Sequence, residues 1–176
     1  MKTEIKSVLK PALVLFAICL VTTALLALTN LFAAAKIGER EKQMISETRK
    51  KVLGDAVSFE EVNHICARGV GAEGETVGYV FIVAEKGYGG DMQVMVGVSD
   101  GKVTGVRVLS HSETAGLGAK AAEKEFLDQY NGLSENAEVG RNIDKITGAT
   151  ISSKAVTSAV NRALDEYKKI TEGQHG

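Results

Sequence analysis

Thr76-Val-Gly-Tyr-Val-Phe-Ile-Val-Ala84, followed by Met92-Gln-Val-Met-Val-Gly-Val98 and by Val103 to Leu109, decides the fold. Each run alternates apolar residues with small or polar ones, the period of a strand with one buried face. The links carry turn chemistry: Gly87-Tyr-Gly-Gly90 lies between the first two runs, and Ser99-Asp-Gly-Lys102, a hairpin of the Asp-Gly kind, between the second and third. Strands joined this way form an antiparallel meander. Downstream the period becomes helical. Ala122, Phe126 and Tyr130 share a face, which predicts a helix over 119–130. Val156, Ala159, Val160, Ala163, Leu164, Tyr167 and Ile170 make one stripe, predicting a last helix over 152–171 with Ser152 or Ser153 as its cap. The soluble part is therefore α+β, an antiparallel sheet with helices packed on one face.

Upstream, Pro11 to Ala35 is a 25-residue stretch without a charged side chain. As a helix it would run about 37 Å, enough for a hydrocarbon core of about 30 Å. Lys2, Lys6 and Lys10 precede it, and Ala33-Ala34-Ala35 would suit a signal-peptidase site. A signal core is usually only about 7–15 residues, so a retained membrane anchor is the expected reading. Lys36, Arg40 and Lys42 follow the span closely, leaving the positive-inside rule little to choose between orientations. The expected organisation is a short tail over 1–10, a transmembrane helix over 11–35, a helical linker over 36–53, a folded domain over 54–172 and a frayed tail over 173–176.

Beyond residue 35 the chain holds 18 Lys and Arg against 21 Asp and Glu, a balance that argues against a nucleic-acid partner. Cys19 lies within the apolar span and Cys66 stands alone in the soluble part, so no internal disulfide is expected. His64 and Cys66 form an H-x-C pair with no further ligands in zinc spacing, and no metal site is expected. The span contains no carboxylate or histidine, which suits an anchor better than an ion path.

Two glycine-bearing loops remain, His111-Ser-Glu-Thr-Ala-Gly-Leu-Gly118 and Asp144-Lys-Ile-Thr-Gly-Ala-Thr150 running into Ile151-Ser-Ser153. Both fall at element ends, where functional loops concentrate. Taken alone, the first reads as a strand-to-helix connection whose glycines permit positive φ. The second reads as an ordinary helix start with hydroxyl caps, as an anion site at a helix N-terminus beside Thr147, Thr150 and Ser152, or as a covalent attachment point. A hydrolytic nucleophile at Thr150 or Ser152 would need a base, and no spacing in the chain demands one.

Taken together, Gly87-Tyr-Gly-Gly90-Asp91, His111-Ser-Glu-Thr114 with Gly116-Leu-Gly118, and Asp144-x-x-Thr-Gly-Ala-Thr150, after one membrane span, resemble the RnfG family, the G subunits of Rnf electron-transport complexes, over essentially the whole chain. Ala115 stands where that family often has proline. The resemblance implies an FMN-binding domain over 54–172 and an electron-carrying subunit of an ion-translocating ferredoxin:NAD+ oxidoreductase, not a stand-alone catalyst. It implies FMN joined through its phosphate to Thr150 by a flavin transferase that uses FAD and a divalent metal. Asp144, Thr147, Gly148 and Ala149 would serve recognition by that enzyme. Glu113, Thr114, Leu117 and Gly118 would line the flavin, with Thr147, Gly148 and Ala149 beside it. Other Rnf subunits would be the partners, in a bacterial or archaeal cell (inner) membrane, with the domain on the extracytoplasmic side. The equivalent subunit of a sodium-translocating NADH:quinone reductase shares the last motif but is usually longer. A membrane-anchored module holding an anion or flavin non-covalently, and an assembly subunit without cofactor, are the remaining alternatives.

Overall fold

A computed structural model describes residues 2–173, so most of the tail expected over 173–176 lies outside the described residues. Helix α1 (Lys2–Val52) runs unbroken, and the chain divides into two compact units between Met44 and Ile45. In the first unit α1 is long and apolar enough to cross a membrane, with a mean hydropathy of 2.6 over its most apolar window. Two hydroxyls within that stretch bond their own helix: Thr22 donates to the Ile18 and Cys19 carbonyls, and Thr29 to that of Leu25. Side chains satisfied in this way ask nothing of a hydrocarbon surrounding.

The second unit is built on a five-stranded antiparallel meander in the order β1 (Ser58–Asn63), β2 (Cys66–Val70), β3 (Thr76–Lys86), β4 (Asp91–Ser99) and β5 (Lys102–Ser110). The last three strands are the expected ones, and the α+β class is borne out. The hairpin between β4 and β5 turns on Asp100 at φ +50° and Gly101 at φ +72°, the paired positive angles that a two-residue turn of this hand requires.

Side chains alternate across the sheet as the sequence period demands. Phe81, Val83, Val94, Val96, Val98 and Val106 point to one face, where they meet Ala155, Val156, Ala159, Val160, Ala163 and Leu164 of α3 (Thr150–Gly173). Val80 and Met95 point to the other, where Val52, Leu53 and Ala56 cover them. Helical structure therefore lies on both faces, where the sequence suggested one. The last turn of α1 seats closely on the second face. Thr104 donates to the Val52 carbonyl at 2.5 Å, and side chains at Gly97 or Gly105 would strike the Val52 backbone.

Residues 119–130 depart from the single helix expected of them. They fold as a 3-10 turn (Gly118–Ala122), one short helix α2 (Lys124–Leu127) and a second 3-10 turn (Asp128–Tyr130), because Glu123 is extended at φ −75°, ψ 147°. The break lets Phe126 and Tyr130 stack edge to face at 5.7 Å within the core. The Tyr130 hydroxyl shares a 2.8 Å hydrogen bond with Thr157 of α3. Burial pushes its pKa up to about 12, with that hydrogen bond opposing the shift.

Candidate functional site

The pairings Lys86↔Asp91 and Gln93↔Ser110 bring the β3–β4 turn and the segment after β5 to the same end of the sheet. The start of α3 joins them there. A cleft of about 530 Å³ opens between the three, lined by Tyr88, Glu113, Thr114, Leu117, Gly118, Gly148, Ala149, Thr150, Ile151 and Ser152. Tyr88, Leu117 and Ile151 are exposed apolar side chains, one from each element.

Glu113 is buried in the cleft wall and its carboxylate is fully engaged. The backbone N–H groups of Tyr88 and Gly89 donate to Oε1 at 2.7 and 3.2 Å, and the Ser152 hydroxyl donates to Oε2 at 2.8 Å. The loop carrying it is folded locally: the Glu113 N–H donates to Nδ1 of His111, and Leu117 and Ala119 both donate to the Thr114 carbonyl.

Helix α3 begins at Thr150, two residues before the expected start, and neither serine caps it. Ser152 is committed to Glu113, while Ser153 donates both its N–H and its hydroxyl to the Ala149 carbonyl at 3.0 Å. Ala149 thus occupies the cap position with no side-chain oxygen to offer. Among the described residues, nothing on the protein accepts from the N–H groups of Thr150, Ile151 and Ser152. Such a helix start presents free donors and the positive end of the dipole to an anion. Gly148 precedes it at φ +81°, a backbone state that L side chains rarely adopt.

The hydroxyls near this start differ sharply. Ser152 and Ser153 are buried and hydrogen-bonded, whereas Thr150 is exposed on the cleft and has no hydrogen-bond partner among the described residues. Thr147 is exposed as well but does not line the cleft. Asp144 lies further off, exposed, its N–H donated to the Gln129 side chain at 2.7 Å. The structure therefore brings Glu113, Thr114, Leu117, Gly118, Gly148, Ala149 and Thr150 together, and leaves Asp144 and Thr147 outside. It adds Tyr88 and Ile151, which sequence reasoning had not placed in a site, and it turns Ser152 from an anion contact into a partner of Glu113. For Tyr88 the signal available was its position in a glycine-rich turn, and for Ile151 its place one step beyond the Asp144–Thr150 run.

The family model described as FMN-binding domain matches residues 87–165, which contain every lining residue of the cleft. The model described as RnfG N-terminal region matches residues 1–52. The G subunit of the Na+-translocating ferredoxin:NAD+ oxidoreductase complex of Acetobacterium woodii is 37% identical over 198 residues, covering 95% of each chain. The chain belongs to the RnfG family. The G subunit of the proton-translocating ferredoxin:NAD+ oxidoreductase complex of Clostridium ljungdahlii is 32% identical, covering 89% of each chain. That of the ion-translocating oxidoreductase complex of Methanosarcina acetivorans is 33% identical, covering 97% of this chain and 100% of its own. Among solved structures, Shewanella oneidensis NqrC is similar with a TM-score of 0.47 and 20% identity, over 56% of this chain and 54% of its own. Membership of the family, with the apolar α1, makes this a membrane-anchored protein.

Proposed function

We propose that this chain carries FMN as a phosphoester on Thr150 and relays electrons within an ion-translocating ferredoxin:NAD+ oxidoreductase complex. The observation that carries the reading is the sorting of hydroxyls at the start of α3, where Thr150 alone of the Thr150, Ser152 and Ser153 set is exposed and uncommitted.

The residues present fit the group. A phosphate on Thr150 would meet the free N–H groups of the first helical turn. Tyr88, Leu117 and Ile151 offer apolar surface for a planar ring, with Thr114 and Gly118 also lining the cleft and the buried Glu113 in its wall. FMN supplies the one- and two-electron chemistry, and the chain supplies position and electrostatics. A threonine hydroxyl is a weak nucleophile at neutral pH, and no described residue offers Thr150 a hydrogen-bonded base. The base and metal therefore come from a flavin transferase. In that reaction Thr150 would supply the acceptor oxygen and FAD the FMN phosphoryl group, with AMP as the leaving group and the hydroxyl proton going to the transferase's base. Asp144, Thr147, Gly148 and Ala149 form the approach that enzyme recognises; the exposure of the first three leaves them open to it.

In this reading residues 11–35 anchor the chain beside the other subunits, and the domain lies on the extracytoplasmic side, where a covalent bond keeps a cofactor that no cytoplasmic pool can replace. The test is co-expression with a flavin transferase, followed by denaturing electrophoresis. Flavin fluorescence that survives denaturation and disappears in Thr150→Ala is expected; a label retained by that variant refutes the attachment site.

A further inference from the structure

We infer that Glu113 and Ser152 are positioning residues: together they form a clasp that ties the β3–β4 turn, the segment after β5 and the first turn of α3 into one frame that presents Thr150. The functional half of this inference rests on the reading of Thr150 given above. Its structural half does not.

Oε1 of Glu113 gathers the N–H groups of Tyr88 and Gly89, about 25 residues upstream, while Oε2 holds the Ser152 hydroxyl, 39 residues downstream. One buried side chain thus spans three elements that share no strand pairing at this point. Two glycines admit it. A Cβ at Gly87 would overlap Oε1, and a Cβ at Gly118 would overlap Oε2 and crowd the Ser152 hydroxyl oxygen at 2.9 Å. Neither glycine is at a positive φ, so backbone conformation does not explain them and the room they leave does. The clasp also settles which hydroxyl is available, because it holds Ser152 inward and leaves Thr150, on the same turn, facing the cleft. Glu113 therefore acts through other groups, as a strut behind the cleft.

The distinguishing variant is Glu113→Gln. Its amide oxygen can still accept from both N–H groups and its NH₂ can exchange a hydrogen bond with the serine hydroxyl, whereas Glu113→Ala strands all three donors. Hydrogen exchange followed by mass spectrometry on the full chain in detergent reads the frame without any flavin. Glu113→Ala is expected to speed exchange at the hydrogen-bonded amides of 87–89 and of 153–156, the first bonded turn of α3, together, by about tenfold, with the central β3–β4 amides unchanged. Glu113→Gln is expected to stay within about threefold of wild type. Gly118→Ala, which pushes a methyl group against Oε2, reproduces the alanine pattern and serves if Glu113→Ala does not fold. Labelling with FAD and a flavin transferase should fall about tenfold in Glu113→Ala and be rescued in Glu113→Gln.

Unchanged exchange at either distant segment overturns the clasp. Wild-type labelling in Glu113→Ala despite faster exchange overturns the positioning role and leaves the Thr150 reading standing. Failure of Glu113→Gln to rescue overturns the hydrogen-bond frame in favour of the charge. If wild type takes no label but the exchange pattern appears, the covalent reading falls and the clasp survives.

Discussion

Removing the last turns of α1 should unfold the domain, although they follow a run of charged residues and look like a linker. The perturbation is a comparison of two soluble fragments, 45–176 and 54–176. In the second, Val52 and Leu53 are lost, each 1% exposed against Val80 and Met95 on the second face of the sheet. Burying a valine or leucine side chain contributes about 1.5–3 kcal/mol, so the pair accounts for about 3–6 kcal/mol. The Thr104 hydroxyl also loses the Val52 carbonyl, worth about 1 kcal/mol. A deficit of about 5 kcal/mol compares with a total stability of about 5–15 kcal/mol for a domain. With a urea dependence of about 2 kcal/mol per molar, the midpoint should fall by about 2–3 M, leaving 54–176 marginal or unfolded. Circular dichroism against urea reads both fragments. If their midpoints agree within about 0.5 M, the second face is not covered as described and the seat of Val52 on Gly97 and Gly105 has no energetic meaning.

Alkaline stability should report the buried Cys66. Burial, with a smaller push from Glu61, raises its pKa to about 11 from an ordinary 9.0. Below pH 9 the thiol is protonated in both states; as pH rises from about 9 towards 11 the unfolded chain ionises first, so stability falls across that window. Cys66→Ala should flatten the fall, measured as urea midpoints at about pH 8 and about pH 10, and parallel curves would refute it. Tyr130→Phe removes the hydroxyl paired with Thr157 and should cost about 1 kcal/mol in the same assay, without altering flavin labelling at Thr150. Gly148→Ala forces an L side chain into φ +81° and should cost about 1–2 kcal/mol, since the Leu117 methyl 3.0 Å away can yield but the backbone cannot. An unchanged midpoint would mean that the loop before α3 relaxes freely.

What could be read from the sequence follows from which signals are local. Strands β3, β4 and β5 were legible because each is amphipathic along its own length. Strand β1 was not, because nearly all of Ser58–Asn63 is exposed and leaves no alternation to read. The single helix expected over 119–130 failed at Glu123, where nothing in Ala-Ala-Glu-Lys marks a break. Tertiary packing chose the break, since it is what lets Phe126 and Tyr130 reach the core. The start of α3 was misplaced for a related reason. Serines favour caps, but here one is drawn to a carboxylate 39 residues away and the other to the carbonyl one turn back.

That displacement also bears on the attachment proposed at Thr150. Thr150, Ser152 and Ser153 are chemically near-equivalent hydroxyls within four residues, and no local rule ranks them as acceptors. The ranking comes from burial and from Glu113, whose partners are two backbone N–H groups and a serine contributed by remote elements. Backbone donors have no residue type, so sequence can assign such a carboxylate to a site without revealing what it holds. On the proposed reading, a modifying enzyme that recognises Asp144 to Ala149 would meet one exposed hydroxyl among Thr150, Ser152 and Ser153, that of Thr150. The selectivity then resides in the substrate's own fold as much as in the enzyme, and loosening the fold around Glu113 should erode it.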